Sequence, residues 1–153
     1  MKNILLVCTG NTCRSPMAKA LLQKILQERA PGSAEEFHIS SAGLTTGPGL
    51  PASKYAIAVM EERGIDIKGH RSQPVDASLV QAADLVLAMT DVQREYLWDR
   101  FPTRKENIFT LAEFAGIAGE VADPFGGGQA IYEECAAQLE YILNRVAERL
   151  LDR

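Results

Sequence analysis

A cysteine and an arginine separated by five residues lie near the start of the chain, within VCTGNTCRSP at 7–16. Four apolar residues, Ile4 to Val7, precede Cys8, and a Ser-Pro pair follows Arg14. A loop that runs from a strand into a helix can turn its backbone N–H groups inward, and the helix dipole adds positive potential. The spacing therefore predicts an anion site that fits a phosphate, in a loop whose first residue is a cysteine.

The residue types inside this loop suit such a site. Gly10 relieves the steric limits on a sharply curved backbone, and Asn11 can adopt left-handed geometry and brace the loop with its side-chain amide. Arg14 offers a planar fork for two phosphate oxygens. The pattern G-x-x-x-x-G-K-[ST] of nucleotide-binding loops is absent, so a nucleotide site is not indicated.

Cys8 is predicted to be a nucleophile. A helix N-terminus and a neighbouring arginine favour the thiolate, which is the reactive form of a cysteine. Ser15 is placed to donate a hydroxyl hydrogen bond to the sulfur. A free cysteine without such neighbours is usually a small buried residue, and Cys135 is predicted to be one, in the core along the last helix.

The order of apolar runs and helical periodicities predicts the elements that position this loop. Ser15 is expected to be the N-cap and Pro16 the first residue of a helix after the first strand. Three later helices are expected. The first begins at Pro51, the second is capped by Asp76, and the third is capped by Thr90 or Asp91. The remaining expected elements are strands at 4–7, 37–41, 85–89 and 108–111 and a closing helix at 131–151.

This alternation predicts an α/β fold with one domain over residues 1–153. The architecture is an open twisted parallel sheet of about four strands, Rossmann-like, with helices on both faces. Ligands bind such sheets at the carboxyl ends of the strands, which is where Cys8 lies.

Composition excludes several classes of function. The net charge of -4 argues against nucleic-acid binding, and no apolar run is long enough to span a membrane. No secretory signal is expected from the first residues. Three cysteines without metal-site spacing indicate no disulfide framework, no metal and no cofactor. A cytoplasmic monomer is expected.

CTGNTCRSP resembles the active-site loop of the low-molecular-weight protein tyrosine phosphatase family, and the resemblance covers the whole chain. It extends to Ser41-Ala42-Gly43 and Asp123-Pro124. It implies that Cys8 attacks phosphorus and that Arg14 holds the equatorial oxygens. It also implies a cysteinyl-phosphate intermediate and a general acid, then base, at Asp123. The implied substrate-binding residues are Thr9, Gly10, Asn11, Thr12, Cys13, Ser15 and Phe125.

The stretch from Gly69 to Gln73 is similar to one found in bacterial members of this family. It leaves two interpretations of His70 open, a residue that braces the loop and a plain surface residue.

Thr12 and the sequence DPFGG resemble the protein arginine phosphatases of Gram-positive bacteria, because tyrosine-directed members usually have a bulky aliphatic residue at the position of Thr12. A guanidinium prefers a polar wall and a carboxylate partner, which Asp123 can supply. The expected substrates are therefore phosphoarginine proteins, with phosphotyrosine proteins as the alternative. Arsenate reduction, a further alternative within the resemblance, needs additional cysteines to relay a disulfide, and only Cys135 is left for that role.

Cys13 follows Cys8 by five positions in a tightly curved loop. A sulfenic acid on Cys8 could be captured by Cys13 as a disulfide, which would protect the nucleophile from irreversible oxidation. Related enzymes use such a pair as a reversible redox switch, so Cys13 is also the expected redox partner.

Overall fold

A computed structural model of the protein describes residues 2–152. Its single sheet is parallel throughout, with the strand order β2-β1-β3-β4. The central strand β1 alternates between the two faces of the sheet, because Ile4 and Leu6 join one apolar cluster while Leu5 and Val7 join the other. The strands are β1 Lys2–Cys8, β2 Phe37–Gly43, β3 Leu85–Ala88 and β4 Ile108–Thr110.

Helices cover both faces, which confirms the predicted fold class. Side chains of α1, α2, α5 and α6 pack on one face, and those of α3 and α4 pack on the other. None of the helices within residues 2–152 is long and apolar enough to cross a membrane. The helices are α1 Arg14–Arg29, α2 Lys54–Glu61, α3 Ala77–Ala82, α4 Asp91–Arg100, α5 Leu111–Ala115 and α6 Gln129–Leu151.

Two predicted helix starts were wrong. Helix α1 begins at Arg14 with Cys13 at the N-cap, because the Ser15 hydroxyl bonds to Cys8 and Asn11 instead of to the backbone. Helix α2 begins three residues after Pro51, and its cap is Ser53, whose hydroxyl accepts from the amide of Ala56. The Ser53 amide also donates to the carbonyl of Thr12, which fixes the chain against the loop just before the helix.

Other local predictions were confirmed. Asp76 caps α3 and Thr90 caps α4, each through a side-chain oxygen that accepts a backbone N–H of the first turn. Cys135 is buried on α6, in the larger apolar cluster. The strand predicted at 108–111 ends one residue early because Thr110 caps α5.

Candidate active site

The loop from β1 to α1 lies at the carboxyl edge of the sheet and is held against the end of β2. The carbonyls of Cys8 and Thr9 accept from the amides of Leu44 and Thr45, at 3.0 and 2.9 Å. A Cβ on Gly43 would lie 2.9 Å from the carbonyl oxygen of Thr9, so a side chain there would collide with the loop backbone. Glycine at this position therefore lets the loop begin in close contact with β2.

Asn11 lies at the centre of the loop and has the predicted left-handed backbone, with φ of 57°. Its Oδ1 accepts from the Gln73 amide at 2.9 Å, and a backbone amide can only donate, so the orientation of the side-chain amide is fixed. Nδ2 consequently donates to Ser15 Oγ at 2.8 Å and to Ser41 Oγ at 3.0 Å. The buried amide ties the loop to β2 and to the segment around Gln73.

The sulfur of Cys8 receives two hydrogen bonds. Ser15 Oγ already accepts from Asn11, so its own proton is left for Cys8 Sγ, 3.0 Å away. The backbone N–H of Asn11 also donates to the sulfur at 3.3 Å. Hydrogen bonds to an anion are stronger than those to a neutral group, so both donors favour the thiolate.

Several donors around the sulfur have no partner. The backbone N–H groups of Gly10, Thr12 and Cys13 donate to nothing within residues 2–152. Arg14 is only 4% exposed and donates to the carbonyl of Val121 at 3.0 Å, yet its Nε is unpaired among the described groups. Leaving a buried donor unpaired costs about 1–3 kcal/mol, so this arrangement suits a bound oxyanion.

These groups open into a cavity of about 210 Å³. Asp123 lies at its mouth, where Oδ2 is 3.6 Å from Arg14 Nη2 and Oδ1 accepts from the Phe125 amide at 3.0 Å. Eight of the ten predicted site residues line the cavity: Cys8, Thr9, Gly10, Thr12, Cys13, Arg14, Asp123 and Phe125. The other two, Asn11 and Ser15, do not line the cavity, and their buried side chains support the loop from inside the protein.

The thiol of Cys13 is held by two hydroxyl groups from other elements, Tyr132 Oη at 3.2 Å and Ser53 Oγ at 3.6 Å. The hydroxyl of the adjacent Thr12 lies 3.8 Å from the same sulfur. Burial, and next the contact with Cys13, raise the pKa of Tyr132 to about 12, so its hydroxyl is protonated at neutral pH. All three cysteines are free thiols. The residues that hold Cys13 come from α6 and from the cap of α2, and neither was foreseen from the sequence.

His70 lies against the loop, with Nε2 2.7 Å from the carbonyl oxygen of Asn11. Burial lowers the pKa of His70, and the nearby charges of Lys19 and Arg71 lower it further, while the bond to Asn11 opposes them. The neutral ring can donate from Nε2 to the carbonyl. Of the two interpretations left open by the sequence, the geometry favours bracing.

Sequence reasoning also missed Gln93, whose side chain donates to the Thr9 hydroxyl at 3.0 Å. A signal for it was available, because Thr90 and Gln93 have the spacing of a capping box, and the structure forms that box. No comparable pattern marks Val121, whose carbonyl holds Arg14.

The family model for low molecular weight phosphotyrosine protein phosphatase matches residues 3–153. A protein-arginine-phosphatase of Geobacillus stearothermophilus is 42% identical over 148 residues, which cover 96% of this chain and 95% of that protein. A probable low molecular weight protein-tyrosine-phosphatase, EpsP of Ralstonia nicotianae, is 39% identical over 140 residues, which cover 92% of this chain and 90% of that protein.

Solved structures are similar over nearly the whole chain. The YwlE arginine phosphatase from Geobacillus stearothermophilus has a TM-score of 0.89 at 41% identity and covers 98% of this chain and 93% of its own. A cysteine-to-serine mutant of a YwlE arginine phosphatase, with a phosphorylated active-site serine, has a TM-score of 0.90 at 37% identity. The match covers 99% of this chain and 97% of that one.

Proposed function

This chain belongs to the low molecular weight phosphotyrosine protein phosphatase family, and we propose that it is a protein arginine phosphatase. It hydrolyses phosphoarginine in proteins through a cysteinyl-phosphate intermediate. The observation that carries the choice of substrate is that Thr12 and Asp123, which bear a hydroxyl and a carboxylate, line the same cavity as Cys8. A guanidinium has N–H donors that need such acceptors, whereas a phenyl ring has none. The arginine phosphatases among the relatives support the same choice.

In the first step the Cys8 thiolate attacks phosphorus. A sulfur–phosphorus bond forms, the phosphorus–nitrogen bond breaks, and protonated Asp123 gives its proton to the departing guanidine nitrogen. Arg14 Nε and the unpaired loop amides donate to the non-transferring phosphoryl oxygens. These donors are in place before negative charge develops on the oxygens.

In the second step water attacks the phosphorus of the cysteinyl-phosphate. Asp123, now a carboxylate, takes a proton from that water, and the sulfur–phosphorus bond breaks as the Cys8 thiolate leaves. The Ser15 hydroxyl and the backbone N–H of Asn11 donate to the departing sulfur, which makes it a better leaving group. Inorganic phosphate and the starting enzyme are the products.

A direct comparison of phosphoarginine and phosphotyrosine peptides of matched sequence tests the proposed function. We expect the larger kcat/KM on phosphoarginine, measured as released inorganic phosphate. A protein that cleaves phosphotyrosine peptides well and releases no phosphate from phosphoarginine peptides would contradict the proposal.

Replacing Thr12 by isoleucine is expected to raise the ratio of phosphotyrosine to phosphoarginine activity. The change exchanges a hydroxyl for an apolar group at the cavity wall, and differences of this size discriminate between substrates by roughly 10- to 100-fold. The measurement is kcat/KM on both peptides for parent and variant. Thr12→Ser keeps the hydroxyl and serves as the matched control. An unchanged ratio in Thr12→Ile would remove Thr12 from substrate selection.

Phosphotyrosine hydrolysis is the second candidate, and Phe125 is compatible with it, as it is with a guanidinium that stacks on the ring. The Phe125 side chain is 78% exposed at the cavity mouth, where an aromatic face can pack against a phenyl ring. Arsenate reduction is disfavoured by Cys135, because burial raises the pKa of this thiol to about 12 and a relay needs a reactive thiolate.

The redox role of Cys13 predicts how the enzyme recovers from peroxide. Sulfenic acid on Cys8 condenses with the Cys13 thiol, releasing water and forming a disulfide that a dithiol reduces. After peroxide treatment and then dithiothreitol, we expect the parent and Cys135→Ala to regain most of their own starting activity. Cys13→Ala should regain little, because its sulfenic acid is oxidised further. Equal recovery in Cys13→Ala and the parent would refute the switch.

The setting of the enzyme is also part of the proposal. The enzyme is expected to act as a monomer. Free thiols at Cys8, Cys13 and Cys135 fit the reducing cytoplasm. The partners are phosphorylated proteins, and the two proposed steps use neither a metal nor a cofactor.

A further inference from the structure

Gln93 is a buried side chain, 5% exposed, whose hydrogen bonds reach the active-site loop. Its Oε1 accepts from the backbone amides of Met89 and Thr90 at 2.9 and 3.1 Å. Backbone N–H groups can only donate, so the atom that faces them must be the amide oxygen. Nε2 therefore faces Thr9 Oγ1, 3.0 Å away, and donates to it.

This bond determines what the Thr9 hydroxyl can offer. A hydroxyl has one proton and two lone pairs, and Gln93 occupies one lone pair, so the proton and the second lone pair remain. The backbone of Thr9 is fixed by the hydrogen bond from the Thr45 amide and by the close contact with Gly43. Thr9 follows Cys8 and lines the cavity, and within residues 2–152 its hydroxyl bonds only to Gln93.

We propose that Thr9 is a specificity-determining residue for phosphoarginine and that Gln93 is the positioning residue that orients it. The inference rests on the proposed function. A phosphoguanidino group carries an N–H next to a phosphoryl oxygen, so one hydroxyl can accept from the nitrogen while it donates to the oxygen. A phosphotyrosine ester has an oxygen without hydrogen at the bridging position, so it can use the donor but has no use for the acceptor.

Thr9→Val tests the hydroxyl, because valine keeps the branched shape of threonine and removes the polar group. Gln93→Glu tests the orientation: one carboxylate oxygen still accepts from Met89 and Thr90, as glutamate does in capping boxes. The other oxygen cannot donate to Thr9 and takes the hydroxyl proton, so the polarity of the bond is reversed. Thr9→Ser restores the hydroxyl. Thr103→Val, in the exposed turn at the opposite edge of the sheet, is the matched control.

The readout is kcat/KM on phosphoarginine and phosphotyrosine peptides, with thermal unfolding to verify the fold. In Thr9→Val we expect kcat/KM on phosphoarginine to fall roughly 10- to 100-fold relative to phosphotyrosine. In Gln93→Glu the Thr9 proton goes to the carboxylate, so the donor that serves both substrates is lost while the acceptor remains. We therefore expect kcat/KM to fall on both peptides without a loss of the preference for phosphoarginine. Thr9→Ser and Thr103→Val should keep the parent ratio. The double variant should lose no more selectivity than Thr9→Val alone, because Gln93 acts through the hydroxyl.

The outcomes separate this inference from the proposed function. If the parent hydrolyses phosphoarginine but Thr9→Val loses activity equally on both peptides, or keeps the parent ratio, the inference is overturned and the proposed function stands. A Gln93→Glu variant that is folded and keeps the parent kcat/KM on both peptides would overturn the positioning role. A parent without activity on phosphoarginine would overturn the proposed function, and this inference with it.

Discussion

Replacing Cys8 by serine is expected to lower kcat roughly 10⁴- to 10⁶-fold on every phosphorylated substrate, as loss of a nucleophile does in other hydrolases. The reason lies in the donors around the sulfur. Ser15 and the Asn11 amide stabilise a thiolate, but a serine hydroxyl at the same place ionises far less readily and remains a poor nucleophile.

The anion site itself should survive this change. The Arg14 side chain and the unpaired loop amides do not depend on the sulfur, so the Cys8→Ser protein should still bind inorganic phosphate. Turnover of p-nitrophenyl phosphate and calorimetric phosphate binding measure the two properties separately. Cys135→Ser, outside the cavity, is the control and should retain turnover. Substantial activity in Cys8→Ser would contradict a cysteinyl-phosphate mechanism.

Replacing Asp123 by asparagine is expected to slow phosphoarginine hydrolysis by about 10²- to 10⁴-fold, the usual contribution of a general acid or base. Asparagine keeps an oxygen that can accept from the Phe125 amide, so the local turn is preserved. It has no acidic proton, however, and the guanidine nitrogen is a basic leaving group that must be protonated as it departs. The loss should therefore fall on the first chemical step.

A comparison of leaving groups isolates this role of Asp123. Rapid-quench measurement of the first turnover should show a large loss with phosphoarginine. The loss should be much smaller with p-nitrophenyl phosphate, whose phenolate leaves without a proton. Asp99→Asn, an exposed acid on α4, is the control. Equal losses on the two substrates in the first turnover would show that Asp123 does not act as a general acid.

The strand, loop and helix that carry Cys8 and Arg14 can be predicted from the sequence alone. The parallel sheet can be predicted too, because alternating apolar runs and helical periodicities are local properties of the chain. Local rules failed where distant residues competed for the same atoms. Serine is a common N-cap, but the hydroxyl of Ser15 donates to the Cys8 sulfur and accepts from the side-chain amide of Asn11. The helix therefore begins before Ser15.

The side chains that complete the site are brought together by tertiary packing. Gln93 reaches Thr9 across 84 positions of sequence, and Tyr132 reaches Cys13 across 119. Neither pair can be predicted from spacing, because each depends on where separate elements cross the carboxyl edge of the sheet. The side-chain amides of Gln93 and Asn11 are oriented by backbone N–H groups that donate to their oxygens. Their nitrogens must therefore donate to the hydroxyl groups on the other side. The chain order supplies the nucleophile and its loop, and the packing of the later elements sets the orientation of the groups around it.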